Sequence, residues 1–131
     1  MSDIFVTIGR VLLGLLFVVA GIGKLKSGLD AGSLQQLAGY IGSRGLPSPQ
    51  VLAYVTIGFE IIAGLALIFG YFVLPVSALL AAFCITAALF FHNFWTFPAE
   101  QAANQMNHFL KNVALTGAFL ILFGDRLRSK A

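Results

Sequence analysis

Four apolar runs dominate the sequence, over residues 4–23, 51–70, 72–91 and roughly 106–124. Each is close to the ~20 residues that a helix rising about 1.5 Å per residue needs to cross a ~30 Å hydrocarbon core. Composition agrees. Of 131 residues 59% are hydrophobic and 10% charged, and so little charge does not cover a water-soluble domain of this size. The expected fold class is all-α, an integral membrane four-helix bundle. One transmembrane domain over residues 1–131 is the economical organisation, since neither a repeat nor a low-complexity tract breaks the chain.

The first run does not read as a cleaved signal peptide. Arg10 stands in place of a basic leader, there is no small-x-small cleavage site before a soluble body, and the remainder is equally apolar. The single cysteine, Cys84, falls inside the third run. One thiol builds no disulfide framework, CxxC redox pair or cysteine zinc site. The net charge of +3 comes from a few residues at helix ends. Basic residues beside a membrane are ordinary and call for no nucleic-acid partner.

The connections are unequal. Between the second and third runs there is little more than a turn at Gly70, with Pro75 in the first turn of the next helix, where a missing N–H does little harm. The first connection is longer. Leu34, Leu37, Ala38 and Ile41 recur at helical spacing there, which predicts a short interfacial helix ended by Pro47 and Pro49. In the third connection Phe94 and Trp95 suit an interfacial belt, and Pro98 is a breaker. Four crossings put both termini on one side. The compact Arg126, Arg128, Lys130 cluster and the absence of Lys and Arg from the third connection favour the cytoplasm for that side.

Polar residues inside the runs form stripes. Arg10, Gly14, Phe17, Gly21 and Lys24 share one face of the first helix, with small residues that permit close helix approach. Glu60 lies midway along the second, on a face with Ala53, Thr56 and Gly64. Ser77, Ala81, Cys84 and Ala88 make a small-residue seam on the third, ending near His92. Asn104, His108, Asn112 and Thr116 repeat every four residues on the fourth, with Lys111 beside them. Alternating helix directions gather Lys24, His92, His108 and Lys111 at one membrane face. Glu60 then lies about 15 Å below it, ten residues at ~1.5 Å each. A charge in hydrocarbon asks for a partner, and Arg10 is the expected one, giving a buried Arg10–Glu60 ion pair. The candidate ligand pocket comprises Lys24, Glu60, His92, His108, Lys111 and Asn112.

At these residues the chain resembles a known family. "GRVLLGLLFVVAGIGKL", "GFEIIAGLALIFG", "HNFW" and "NHFLKNVALTGAFLILFG" are together similar to the DoxX family of small bacterial four-helix membrane proteins. The resemblance implies a four-helix bundle in the inner membrane. It also implies an association with redox chemistry, because the family takes its name from a subunit of a thiosulfate to quinone oxidoreductase. It marks Arg10, Lys24, Glu60, His92, Lys111 and Asn112 as polar family positions without naming a reaction.

Three functions follow as expectations. The first is a membrane redox subunit that binds quinone near Lys24, His92, His108 and Lys111, with Glu60 in a proton path and electrons from a soluble or membrane redox partner. Quinone reduction needs proton donors at the carbonyls, and His with Lys can serve. The chain has no intrinsic redox cofactor motif, so it is at most an oxidoreductase subunit. The second is a non-catalytic scaffold or assembly factor. The third is a small proton-coupled transporter using Glu60. Two histidines could ligate a haem, and with a carboxylate they could hold a metal, but neither has a diagnostic spacing here, and no metal is expected.

Overall fold

The computed structural model describes residues 2–29 and 38–130, and all of its regular structure is helical. In chain order the elements are α1 (Ser2–Leu29), a short α2 over residues 38–43, α3 (Pro49–Phe69), α4 (Val73–Phe91), a 3-10 turn (Phe94–Thr96) and α5 (Ala99–Lys130). α1, α3, α4 and α5 are each long and apolar enough to cross a membrane. The short helix expected in the first connection is present as α2, with Ala38 and Ile41 buried. Leu34 and Leu37 lie outside the described residues. The chain divides into two compact units, Met1–Tyr71 and Phe72–Ala131.

Local chemistry explains where the helices start and stop. Pro49 opens α3 at a position whose N–H has no intrahelical partner anyway. Gly70 ends it in the left-handed region, at φ 80°, and the N–H groups of Gly70 and Tyr71 both reach the Ala66 carbonyl. Pro75 sits in the first turn of α4, as expected. Pro98 begins α5: its carbonyl accepts from the N–H groups of Gln101 and Ala102, at 2.9 and 3.0 Å. α5 therefore starts seven residues before the apolar run does. Residues 99–105 are polar but rich in Ala, Glu and Gln, good helix formers, and Glu100 in the first turn complements the helix dipole. Its 32 residues correspond to about 48 Å, well beyond a ~30 Å hydrocarbon core.

In the first unit α1 packs on α3 through glycine. A Cβ on Gly14 would stand 2.6 Å from the Gly64 carbonyl oxygen, and one on Gly64 would stand 2.7 Å from that of Gly14. Seven residues further along α1, a Cβ on Gly21 would lie 3.3 Å from the Ile57 oxygen, seven residues back along α3. The two helices are thus antiparallel with backbones in near contact, as small residues allow where lipid supplies no hydrophobic drive between helices. In the second unit α4 packs on α5, and the 3-10 turn packs on α5 as well. The Ser77, Ala81, Cys84, Ala88 seam is buried throughout, as are Phe119 and Leu122 of α5.

Large apolar side chains are exposed on every long helix: Phe5 at 69%, Ile62 at 70% and Ile121 at 76% among them, with Leu79 and Leu89 on α4. Such a surface is an error in water and the ordinary condition in lipid. The chain is a multi-pass integral membrane protein.

Candidate functional site

Glu60 is buried midway along α3, with only 3% of its side chain exposed, and its partner is Lys24. The Lys24 ammonium donates to Glu60 Oε1 at 2.6 Å. Lys24 is 39% exposed, so the pair joins a half-open cation to a closed carboxylate. The other carboxylate oxygen, Oε2, is buried and has no hydrogen-bond partner among the described residues. A buried acceptor left in this condition costs about 1–3 kcal/mol.

The expected Arg10–Glu60 pair is corrected by this geometry. The Arg10 guanidinium donates instead to the backbone carbonyls of Leu67 and Ile68, the latter at 3.3 Å. Helix direction explains the exchange. With Gly14 against Gly64 and Gly21 against Ile57, Arg10 lies level with Ile68 and Glu60 level with Val18. Eight residues of α1 separate Arg10 from that level, about 12 Å at ~1.5 Å each. Side chains lean toward the N-terminus of their own helix, so in this antiparallel pair Arg10 and Glu60 lean apart. Lys24 and Glu60 lean toward each other and meet near Gly21, whose missing side chain leaves the Glu60 Cβ only 3.3 Å from where its own Cβ would stand.

Arg10 still has a full role. The last carbonyls of a helix have no intrahelical partner, and the Gly70 turn satisfies only that of Ala66. The guanidinium takes up Leu67 and Ile68 and places a positive charge at the negative end of the helix dipole. A Cβ on Gly70 would come within 3.0 Å of Arg10 Nη1, so glycine serves both the turn and this contact.

The second unit gathers a different cluster. His92, just past the end of α4, stacks on His108 of α5, with ring centroids 5.0 Å apart and planes 24° from parallel. His92 Nδ1 lies 2.8 Å from the side-chain oxygen of Gln105, an acceptor, so this bond calls for the tautomer that carries its proton on Nδ1. The adjacent Asn93 holds its side-chain oxygen buried without a hydrogen-bond partner among the described residues. Phe94, Trp95 and Phe109 close the same end in edge-to-face contacts, with centroids 5.2 to 5.6 Å apart. Among the described residues no three His, Cys, Asp or Glu side chains gather to hold a metal ion.

Of the residues singled out in the sequence, Lys24 and Glu60 come together in the first unit, and His92 and His108 in the second. Asn112 is buried one turn beyond His108, and its carbonyl accepts from the Thr116 hydroxyl at 2.8 Å. Lys111, three residues after His108, is exposed and has no hydrogen-bond or ion-pair partner among the described residues, and Asn104 is likewise exposed. Sequence reasoning missed Gln105 and Asn93. Gln105 carried a usable signal, since it stands three residues before His108 and shares its face. Asn93 sits in an irregular turn, where periodicity says nothing.

Comparison with known proteins adds the following. The profile of the DoxX family matches residues 5–93, which takes in α1, α3, α4 and the histidine after α4. The chain is 29% identical over 119 residues to inner membrane protein YphA of Escherichia coli (strain K12), covering 91% of this chain and 81% of that protein. It is 31% identical over 122 residues to inner membrane protein YqjF of the same organism, covering 93% and 84%. These relatives extend the likeness through most of α5. No solved structure matches the chain.

Proposed function

Because this chain belongs to the DoxX family, we propose that it is an inner-membrane redox subunit that binds quinone at the histidine end of α4 and α5. A partner protein or soluble donor supplies the electrons. The observation that carries this reading is the stacked His92–His108 pair beside the buried, unpartnered Asn93 oxygen. A quinone head group is flat and apolar, with oxygen at both ends. Its ring suits the imidazole and aromatic faces of His108, Phe94 and Phe109. In the quinol form its hydroxyl is a donor, which the Asn93 oxygen lacks.

When bound, quinone would supply a two-electron, two-proton carrier soluble in the bilayer. The protein's own residues act on hydrogen bonds and protons. His108 presents one N–H donor and one acceptor nitrogen in its neutral form. Gln105, bonded to His92 Nδ1, orients the His92 ring and favours the tautomer with its proton on Nδ1. The aromatic contacts of Phe94, Trp95 and Phe109 suit the headgroup level of the membrane, where protons exchange with water. The lone Cys84 provides neither a dithiol nor a cluster, which is why the reading includes a redox partner. Lys24 neutralises Glu60 directly, and this weighs against the reading in which a lone carboxylate carries a cation. The reading puts both termini in the cytoplasm, on the strength of the Arg126, Arg128 and Lys130 cluster.

The test is extraction in mild detergent, followed by mass spectrometry of the lipids and proteins that come with the chain. Quinone should co-purify with the wild type and fall at least about tenfold in His108→Ala. Equal quinone recovery from both, or none from the wild type, removes the reading.

A further inference from the structure

The Lys24–Glu60 pair is left over by the quinone reading. It lies in the Met1–Tyr71 unit, whereas the histidine cluster belongs to the other. We propose that Glu60 Oε2 is a binding site for an uncharged, membrane-dissolved hydroxyl compound, an amphiphile that donates its O–H to the carboxylate while its apolar body stays in lipid.

Three observations carry this. The Glu60 side chain is only 3% exposed, yet among the described residues only its Oε1 is bonded. Buried polar atoms in folded proteins are nearly always paired, so an orphaned carboxylate oxygen marks a missing donor. The ligand's charge follows from the pair itself. The Lys24 ammonium and the Glu60 carboxylate sum to zero, so a neutral donor adds nothing to the hydrocarbon, while a cation would leave one net charge there. Its class follows from the approach. Lys24 is 39% exposed, and Val19, Ile22, Tyr54 and Val55 on the same two helices are exposed apolar or aromatic side chains. A polar head reaching Glu60 past Lys24 therefore carries a body that tolerates lipid.

The chain offers a direct probe. It contains two glutamates, Glu60 and the exposed Glu100, so protein labelled with 13C at the glutamate carboxyl gives two resonances, and Glu60→Gln identifies the one that belongs to Glu60. In lipid nanodiscs, 4-octylphenol should shift the Glu60 signal saturably, and its methyl ether 4-octylanisole, equal in body but without the donor, should leave it still. The shift should persist in His108→Ala, which separates this site from the quinone reading. Lys24→Met should weaken phenol binding at least about fivefold, because the ammonium holds the carboxylate in place. A Glu60 signal that ignores the phenol overturns the proposal, as does one that moves equally with the ether. Loss of the shift in His108→Ala also overturns it, by tying the effect to the other unit.

Discussion

Gly14 and Gly64 touch backbone to backbone: each carbonyl oxygen lies within 2.7 Å of where the other residue's Cβ would stand. This crossing sets the register that brings Lys24 to Glu60 and Arg10 to the end of α3. Gly14→Ala and Gly64→Ala should each destabilise the α1–α3 pair by about 1–3 kcal/mol, the usual cost of overpacking a tight contact. Gly58→Ala, where an added Cβ meets nothing within 4 Å, should be neutral or slightly stabilising. Thermal unfolding of the purified protein in detergent compares the three. Equal midpoints would remove the glycine crossing from the fold.

The Lys24–Glu60 pair predicts coupling in a double-mutant cycle. Lys24→Met strands a buried carboxylate, and Glu60→Gln strands an ammonium that is only partly exposed. The double variant should be more stable than the sum of the two losses by on the order of 1 kcal/mol, the scale of polar couplings measured within membranes. Arg10→Leu with Glu60→Gln should be additive, since those two residues bond elsewhere. Coupling in the second cycle and additivity in the first would restore the Arg10–Glu60 pair.

Arg10 predicts a local effect. Without its guanidinium the carbonyls of Leu67 and Ile68 lose their donor, and the last turn of α3 should fray. Arg10→Leu should raise hydrogen exchange at the Gly70 and Tyr71 amides, which both bond Ala66, by roughly tenfold. Amides near Ala53, at the other end of α3, should keep their wild-type protection. Uniform acceleration along the helix would mean that Arg10 holds the whole helix in place and not its end.

The histidine cluster predicts a tautomer. The chain has two histidines, so imidazole 15N resonances are readily assigned with one substitution. His92 should show a protonated Nδ1, and Gln105→Ala should release that preference because the accepting oxygen is gone. Gln105→Glu keeps an acceptor and should retain it. An Nδ1 signal that is indifferent to residue 105 would exclude the bond.

Topology is open to labelling. In a Cys84→Ala background, cysteines placed at Glu100 and Lys130 should react from opposite faces of the membrane, because the whole of α5 lies between them. Reaction from the same face would mean that α5 does not cross.

Much of this protein was legible in the sequence, because lipid leaves a chain few options. Twenty apolar residues in a row announce a crossing whatever they later pack against, and all four long helices appear where the runs lie. The small-residue faces were visible too, since Gly14, Gly21 and Gly64, like Ser77 and Ala88, stand at helical spacing and all are buried. The nearness of His92 and His108 was visible in their places beside one connection, but their stacking was not. The beginning of α5 was hidden because hydropathy marks only the part of a helix that meets lipid, and residues 99–105 are polar helix. The partner of Glu60 was decided by tertiary structure alone. Two cations, Arg10 and Lys24, share one stripe of α1 on either side of its level, and periodicity treats them alike. Only the antiparallel register and the N-terminal lean of each side chain separate them, turning Lys24 toward the carboxylate and Arg10 toward the open end of α3.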